Sequence, residues 1–98
     1  MECDPDQQRV TWWRRDEELT WRQIENEVII LDLRHSQYIR LNASSGVLWE
    51  QLGHGATIGE LAQRLVSTYD ISEGRALADA EAFVASCDRN KLLRPAGQ

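Results

Sequence analysis

The chain has 98 residues, enough for one domain with a single modest core. Its 11 Lys and Arg stand against 16 Asp and Glu, a formal charge of −5 spread through both halves; without a basic cluster to neutralise phosphates, nucleic acid is not the expected partner. Ordinary apolar content argues against global disorder, no apolar run reaches the ~18 residues of a membrane span, and the acidic start MECDPDQQR is unlike a secretory signal, so the expected location is cytoplasmic, away from membranes.

Residues 1–9, polar and containing Pro5, read as a flexible tail. Val10 to Arg15 follows as a strand whose adjacent Trp12 and Trp13 would point to opposite faces, one into the core and one outside. Trp21 to Ile24 is either the start of a strand or part of a turn. Residues 28–33, VIILDL, are aliphatic and β-branched and read as a strand, with Val28, Ile30 and Asp32 on one face and Ile29, Leu31 and Leu33 on the other. Arg34-His35-Ser36 is a connection of hairpin length. QYIRL then forms a strand with Gln37, Ile39 and Leu41 on one side and Tyr38 and Arg40 on the other. The first half is thus expected to be a three-stranded antiparallel sheet.

The second half is helical. Asn42 is a natural N-cap for a helix over residues 43–52, with Val47, Leu48 and Leu52 on its buried face and Trp49 beside them; Gly53-His54-Gly55 ends it. Thr57-Ile58-Gly59-Glu60 is a capping box. The helix after it repeats Ile58, Leu61, Ala62, Leu65, Val66 and Tyr69 at helical spacing. Ser72 caps a third helix reaching about Arg89, with a core stripe of Leu77, Ala80, Phe83, Val84 and Cys87 and with Leu92 just beyond. Residues 95–98 read as a short tail. The order is α+β and winged-helix-like, a three-stranded antiparallel sheet followed by three helices.

Little in this chain speaks for catalysis. His35 and His54, in a turn and between two glycines, read as solvated loop residues, and neither has a second ligand at metal spacing. Cys3 and Cys87 show no paired spacing, and Cys87 reads as core packing. Glu27 and Asp32 flank the apolar strand as carboxylates expected to be solvated. No nucleotide loop or nucleophile motif is present, so no cofactor, no metal and no enzymatic activity are expected. A three-stranded sheet, however, exposes two edges of unpaired backbone, usually blunted by proline or lysine, and neither residue occurs between Thr11 and Asn90. An edge at residues 36–42 would accept an extended peptide as an added strand, unless the N-terminal tail covers it.

The stretch LDLRHSQYIRLNASSGVLWEQL resembles the PqqD-like family, also called RiPP precursor recognition elements, through Ile30 to Leu33, Tyr38, Leu41-Asn42, Gly46 and Leu48-Trp49. TIGELAQRLVSTYDIS and AFVASCDRNKLL are similar to the family's later helices, so the resemblance covers residues 10–94, the expected leader-binding domain. Ser36 and Lys91 depart from it, each standing where a turn glycine is common.

The resemblance implies an adaptor of a lasso-peptide pathway, a partner of a precursor's leader, of a separate cysteine protease-like leader peptidase and of the cyclase. The leader would add antiparallel to the third strand, beside the third helix. The residues this assigns to leader binding are Gln37, Tyr38, Ile39, Arg40, Leu41, Ala76, Asp79, Ala80 and Phe83, with Ala82 leaving further room. One rival is a PqqD-type partner of a radical enzyme in another peptide-modification pathway. Another is a winged-helix DNA-binding regulator, disfavoured because from Ser72 to Asp88 Arg75 alone faces Glu73, Asp79, Glu81 and Asp88.

Overall fold

The computed structural model describes residues 10–15 and 17–95. Its elements in chain order are β1 (Trp12–Arg14), β2 (Leu19–Ile24), β3 (Glu27–Asp32), β4 (Gln37–Leu41), α1 (Ala43–Leu52), α2 (Ile58–Tyr69), α3 (Glu73–Arg89) and β5 (Leu93–Pro95). Cys3 and the tail of residues 1–9 lie outside the described residues, as do residues 96–98.

The expected three-stranded antiparallel sheet is present in the order β2-β3-β4. Its first strand is Leu19–Ile24, not the Trp-Trp segment. Only Glu25 and Asn26 separate Ile24 from Glu27, which pair across the turn, and Glu25 takes the left-handed conformation (φ +57°) that glycine usually supplies. The absence of a glycine is what hides this hairpin from sequence. Trp12–Arg14 instead pairs antiparallel with Leu93–Pro95, which sequence reads as the approach to a tail. Trp12 also exchanges two backbone bonds with Ala56, at 2.8 and 3.0 Å.

Neither Trp12 nor Trp13 is left fully outside; both are half-buried. Trp12 packs on the core. The Trp13 ring lies so close to Gly55 that a Cβ there would sit 2.6 Å from it, and the Arg94 guanidinium covers the ring at 5.8 Å from its centroid.

The helices follow the local signals. Asn42 accepts the Ser45 amide at 2.9 Å, Thr57 and Glu60 satisfy each other's amides at 3.1 and 2.9 Å, and Ser72 accepts the Arg75 amide at 3.2 Å. Leu48, Trp49 and Leu52 of α1 pack on Val28, Ile30 and Leu41 of the sheet, with Leu61 and Leu65 of α2 and Ala76, Ala80 and Val84 of α3 completing one core. Gly46 lets α1 approach β3, since a Cβ there would stand 3.0 Å from a Val28 methyl. Tyr69, expected in the α2 stripe, is exposed, because the helix ends at Asp70 in a left-handed turn before the last residue reaches cover. The end of α3 is a Schellman motif in which Lys91 and Leu92 donate to Asp88 and Cys87 at 3.0 and 2.9 Å, with Lys91 left-handed at φ +60°.

Among the described residues no helix is long and apolar enough to cross a membrane.

Candidate functional site: the β4 edge and the groove beside α3

The backbone phase of β4 follows from one bond. Leu33 donates to the Glu18 carbonyl at 2.8 Å, one step beyond the Leu19–Asp32 pair of the β2–β3 ladder. Bonded and non-bonded pairs alternate in an antiparallel ladder. Leu31 and Ile29 therefore bond to β2, while Val28, Ile30 and Asp32 turn their backbone groups to Leu41, Ile39 and Gln37 of β4. Tyr38 and Arg40 are left directing their amides and carbonyls away from the sheet, along a side of the edge strand that no strand among the described residues pairs with.

Beside that edge runs a groove of about 560 Å³ between β4 and α3. Ile39, Arg40 and Leu41 form one wall, and Asp79, Ala82, Phe83 and Ser86 form the other. Its floor is apolar, made by Leu48, Leu65, Cys87 and Leu92, and the first turn of α1 closes one end with Asn42, Ser44 and Ser45. The α3 rim is charged, with Arg75 and Asp79 paired at 3.7 Å and both well exposed, while the Arg40 side chain pairs with Glu27 at 3.4 Å on the sheet's outer face, on the same side as Tyr38. An extended chain laid here would find backbone partners at alternate positions and apolar cover for the side chains pointing down between them.

Of the residues expected at the site, the structure brings Ile39, Arg40, Leu41, Asp79 and Phe83 together around the groove. Ala76 and Ala80 are fully buried in the core beneath α3 and do not line it. The reason is helical phase: the stripe 76, 80, 83, 84, 87 faces the core, and the stripe 75, 79, 82, 86 lies one step round and faces the groove. Tyr38 is 60 % exposed and its side chain stands on the sheet's outer face with Ile29 and Leu31, so it reaches the groove's edge through its backbone alone. Gln37 turns its side chain back into the protein, donating to Asp32 at 3.2 Å and to the Asn90 carbonyl at 3.0 Å. Arg75, Ser86 and Asn90 are groove residues that sequence reading missed; the polar stripe adjoining the core stripe of α3 is the signal that holds the first two.

The Gln37 contact belongs to a buried polar cluster that overturns two expectations. Asp32 is only 1 % exposed, not solvated, because the inward face of β3 carries it beneath the hairpin. Arg15 pairs with it at 2.8 Å and His35 Nδ1 lies 2.8 Å from its other oxygen, so His35 is no free loop residue. The Arg34 and His35 amides also donate to it, at 3.1 and 3.2 Å. Burial by itself would disfavour the carboxylate; the bonds from His35, Arg15 and Gln37 outweigh that and hold its pKa well below the usual range.

Cys87 is buried as expected, and burial, with the Asp88 charge beside it, pushes its thiol up to about 12, so it stays protonated at neutral pH. Among the described residues no three His, Cys, Asp or Glu side chains stand together in an arrangement that would hold a metal.

The family described as coenzyme PQQ synthesis protein D (PqqD) matches residues 27–93, which span β3 to the start of β5 and so include the edge strand and the whole groove. No curated protein sequence matches the chain. Among solved structures, the chain is similar to TbiB1 in complex with the TbiA(beta) leader peptide, with 20% identity, a TM-score of 0.74, and 87% of this chain and 96% of that one covered. It is also similar to a lasso peptide synthetase B1 complexed with the leader peptide, with 27% identity, a TM-score of 0.74, and coverage of 86% and 98%.

Proposed function

The chain belongs to the PqqD family, and from that premise we propose that it is a precursor recognition element that binds the leader peptide of a ribosomally synthesised precursor. The observation that carries this reading is the open backbone of Tyr38 and Arg40 above an apolar-floored groove. The leader adds as a fourth, antiparallel strand on β4. Its main-chain groups meet those of Tyr38 and Arg40, while alternate side chains drop between β4 and α3 onto Leu48, Leu65 and Phe83. Both similar structures are leader-peptide complexes, and the one at 27% identity is a lasso peptide synthetase B1, which favours a lasso-peptide setting over a radical-enzyme pathway.

Binding of this kind serves presentation. Holding the leader extended and close raises its effective concentration for a second protein and removes the entropy of ordering it. The proteins served are a leader peptidase and a cyclase, and the chain itself acts as an adaptor without catalysis. Polarisation of a fluorescein-labelled synthetic leader, taken from any small precursor gene found beside this one, tests the reading. Saturable binding that a scrambled leader does not reproduce is expected. Equal binding of the two peptides, or none of either, would remove the function and leave the fold.

A further inference from the structure

Beside the groove, near the hairpin, the Gln37 side chain joins β4 to the end of α3. Gln37, the first residue of β4, donates through Nε2 both to the buried Asp32 carboxylate, at 3.2 Å, and to the carbonyl of Asn90, the C-cap of α3, at 3.0 Å. Asn90 lines the groove and follows the last turn of α3, where carbonyls lack helical donors. The two walls meet here through a polar bridge joining residues 53 positions apart in sequence. Asp32 is itself immobilised, since Arg15, His35 and two backbone amides hold both of its oxygens. The bridge is therefore anchored at its root.

We infer that Gln37 is a positioning residue that sets the spacing between β4 and the C-terminal turn of α3, and with it how tightly the groove holds an extended peptide. This rests on the leader-binding reading above. An antiparallel occupant runs opposite to β4, so its C-terminal end leaves past Gln37. A groove pinned at that end holds the departing strand in one register, and one released there lets the strand peel from its exit. The effect belongs to dissociation, because the approach to the open edge is unchanged.

The test uses the full chain and the variant Gln37→Leu, which keeps the bulk and removes both donors. Two readouts are taken. The first needs no peptide: spin labels at exposed positions 38 and 89, in a Cys3→Ser background, report the distance between β4 and the end of α3. The second is the dissociation rate of the fluorescein-labelled leader. Loss of the bridge is expected to broaden the distance distribution and to speed dissociation roughly five- to ten-fold, with association changed less than two-fold and unfolding still cooperative. An unchanged distance distribution, or dissociation within two-fold of wild type, overturns the inference. If Gln37→Leu does not fold cooperatively, Gln37→Asn, one methylene too short to span both acceptors, gives the same two readouts. A wild-type chain that binds no leader defeats the leader-binding reading, while the distances still decide whether Gln37 sets the spacing.

Discussion

Proline at position 40 separates the strand-addition mechanism from ordinary side-chain recognition. The Arg40 amide faces outward, so proline there removes a donor to the incoming strand and takes none from the β3–β4 ladder. The residue before it, Ile39, is already extended, which is the conformation that a following proline requires. The Arg40–Glu27 ion pair is also lost, but both side chains are about half exposed, so about 0–1 kcal/mol of stability is at stake. An unpaired leader carbonyl at the covered edge costs about 1–3 kcal/mol, which corresponds to a loss of affinity between roughly five- and 150-fold.

Arg40→Ala is the control, since it removes the same guanidinium and keeps the amide. Polarisation titrations should show the proline variant at least ~5-fold weaker than the alanine variant, with thermal transitions within a few degrees of each other. Ile39→Pro should differ in kind, because the Ile39 amide bonds to Ile30 inside the sheet, and it should unfold the domain. Equal leader affinity for Arg40→Pro and Arg40→Ala, with both folded, would refute the assignment of the Arg40 amide as a binding group.

Ser36→Gly and Lys91→Gly should each stabilise the domain by roughly 0.5–1 kcal/mol in urea titrations, because both native residues hold a left-handed φ, +51° and +60°, that costs a residue bearing a Cβ. Gly55→Ala should destabilise by about 2–3 kcal/mol, since φ is +79° there and the new methyl meets the Trp13 ring; a Trp13→Leu background should recover part of that loss in thermal melts. Asp32→Ala, which leaves Arg15 facing an empty buried site, should cost about 3–5 kcal/mol by denaturant unfolding. The folded-state pKa of Asp32 lies below its ordinary value of 3.8, so its contribution is complete above about pH 4 and is lost as pH falls toward the lower folded value; Asp32→Asn should flatten the stability profile in that acid range, and an unchanged slope would show that other carboxylates set it.

The parts legible in the sequence are those governed by neighbours along the chain. The caps at Asn42, Thr57 and Ser72, the α2 stripe from Ile58 to Leu65 and the alternation of β3 and β4 each depend on residues within a few positions, and each falls where the pattern places it. The resemblance through Tyr38, Leu41-Asn42 and Leu48-Trp49 identifies the edge strand and the family that the match over residues 27–93 shows. Tertiary structure decided the rest. Pairing Trp12 with Pro95 joins opposite ends of the chain, and no local signal carries such a partner. Asp32 reads as a solvated carboxylate until the hairpin folds over it and brings Arg15 and Gln37 to its oxygens. The groove face of α3 differs from its core face by about one residue of helical phase, which separates Asp79 from Ala80. Which amides of β4 remain open depends on ladder phase, and that is set by register with a second strand, a property of the pair rather than of either segment.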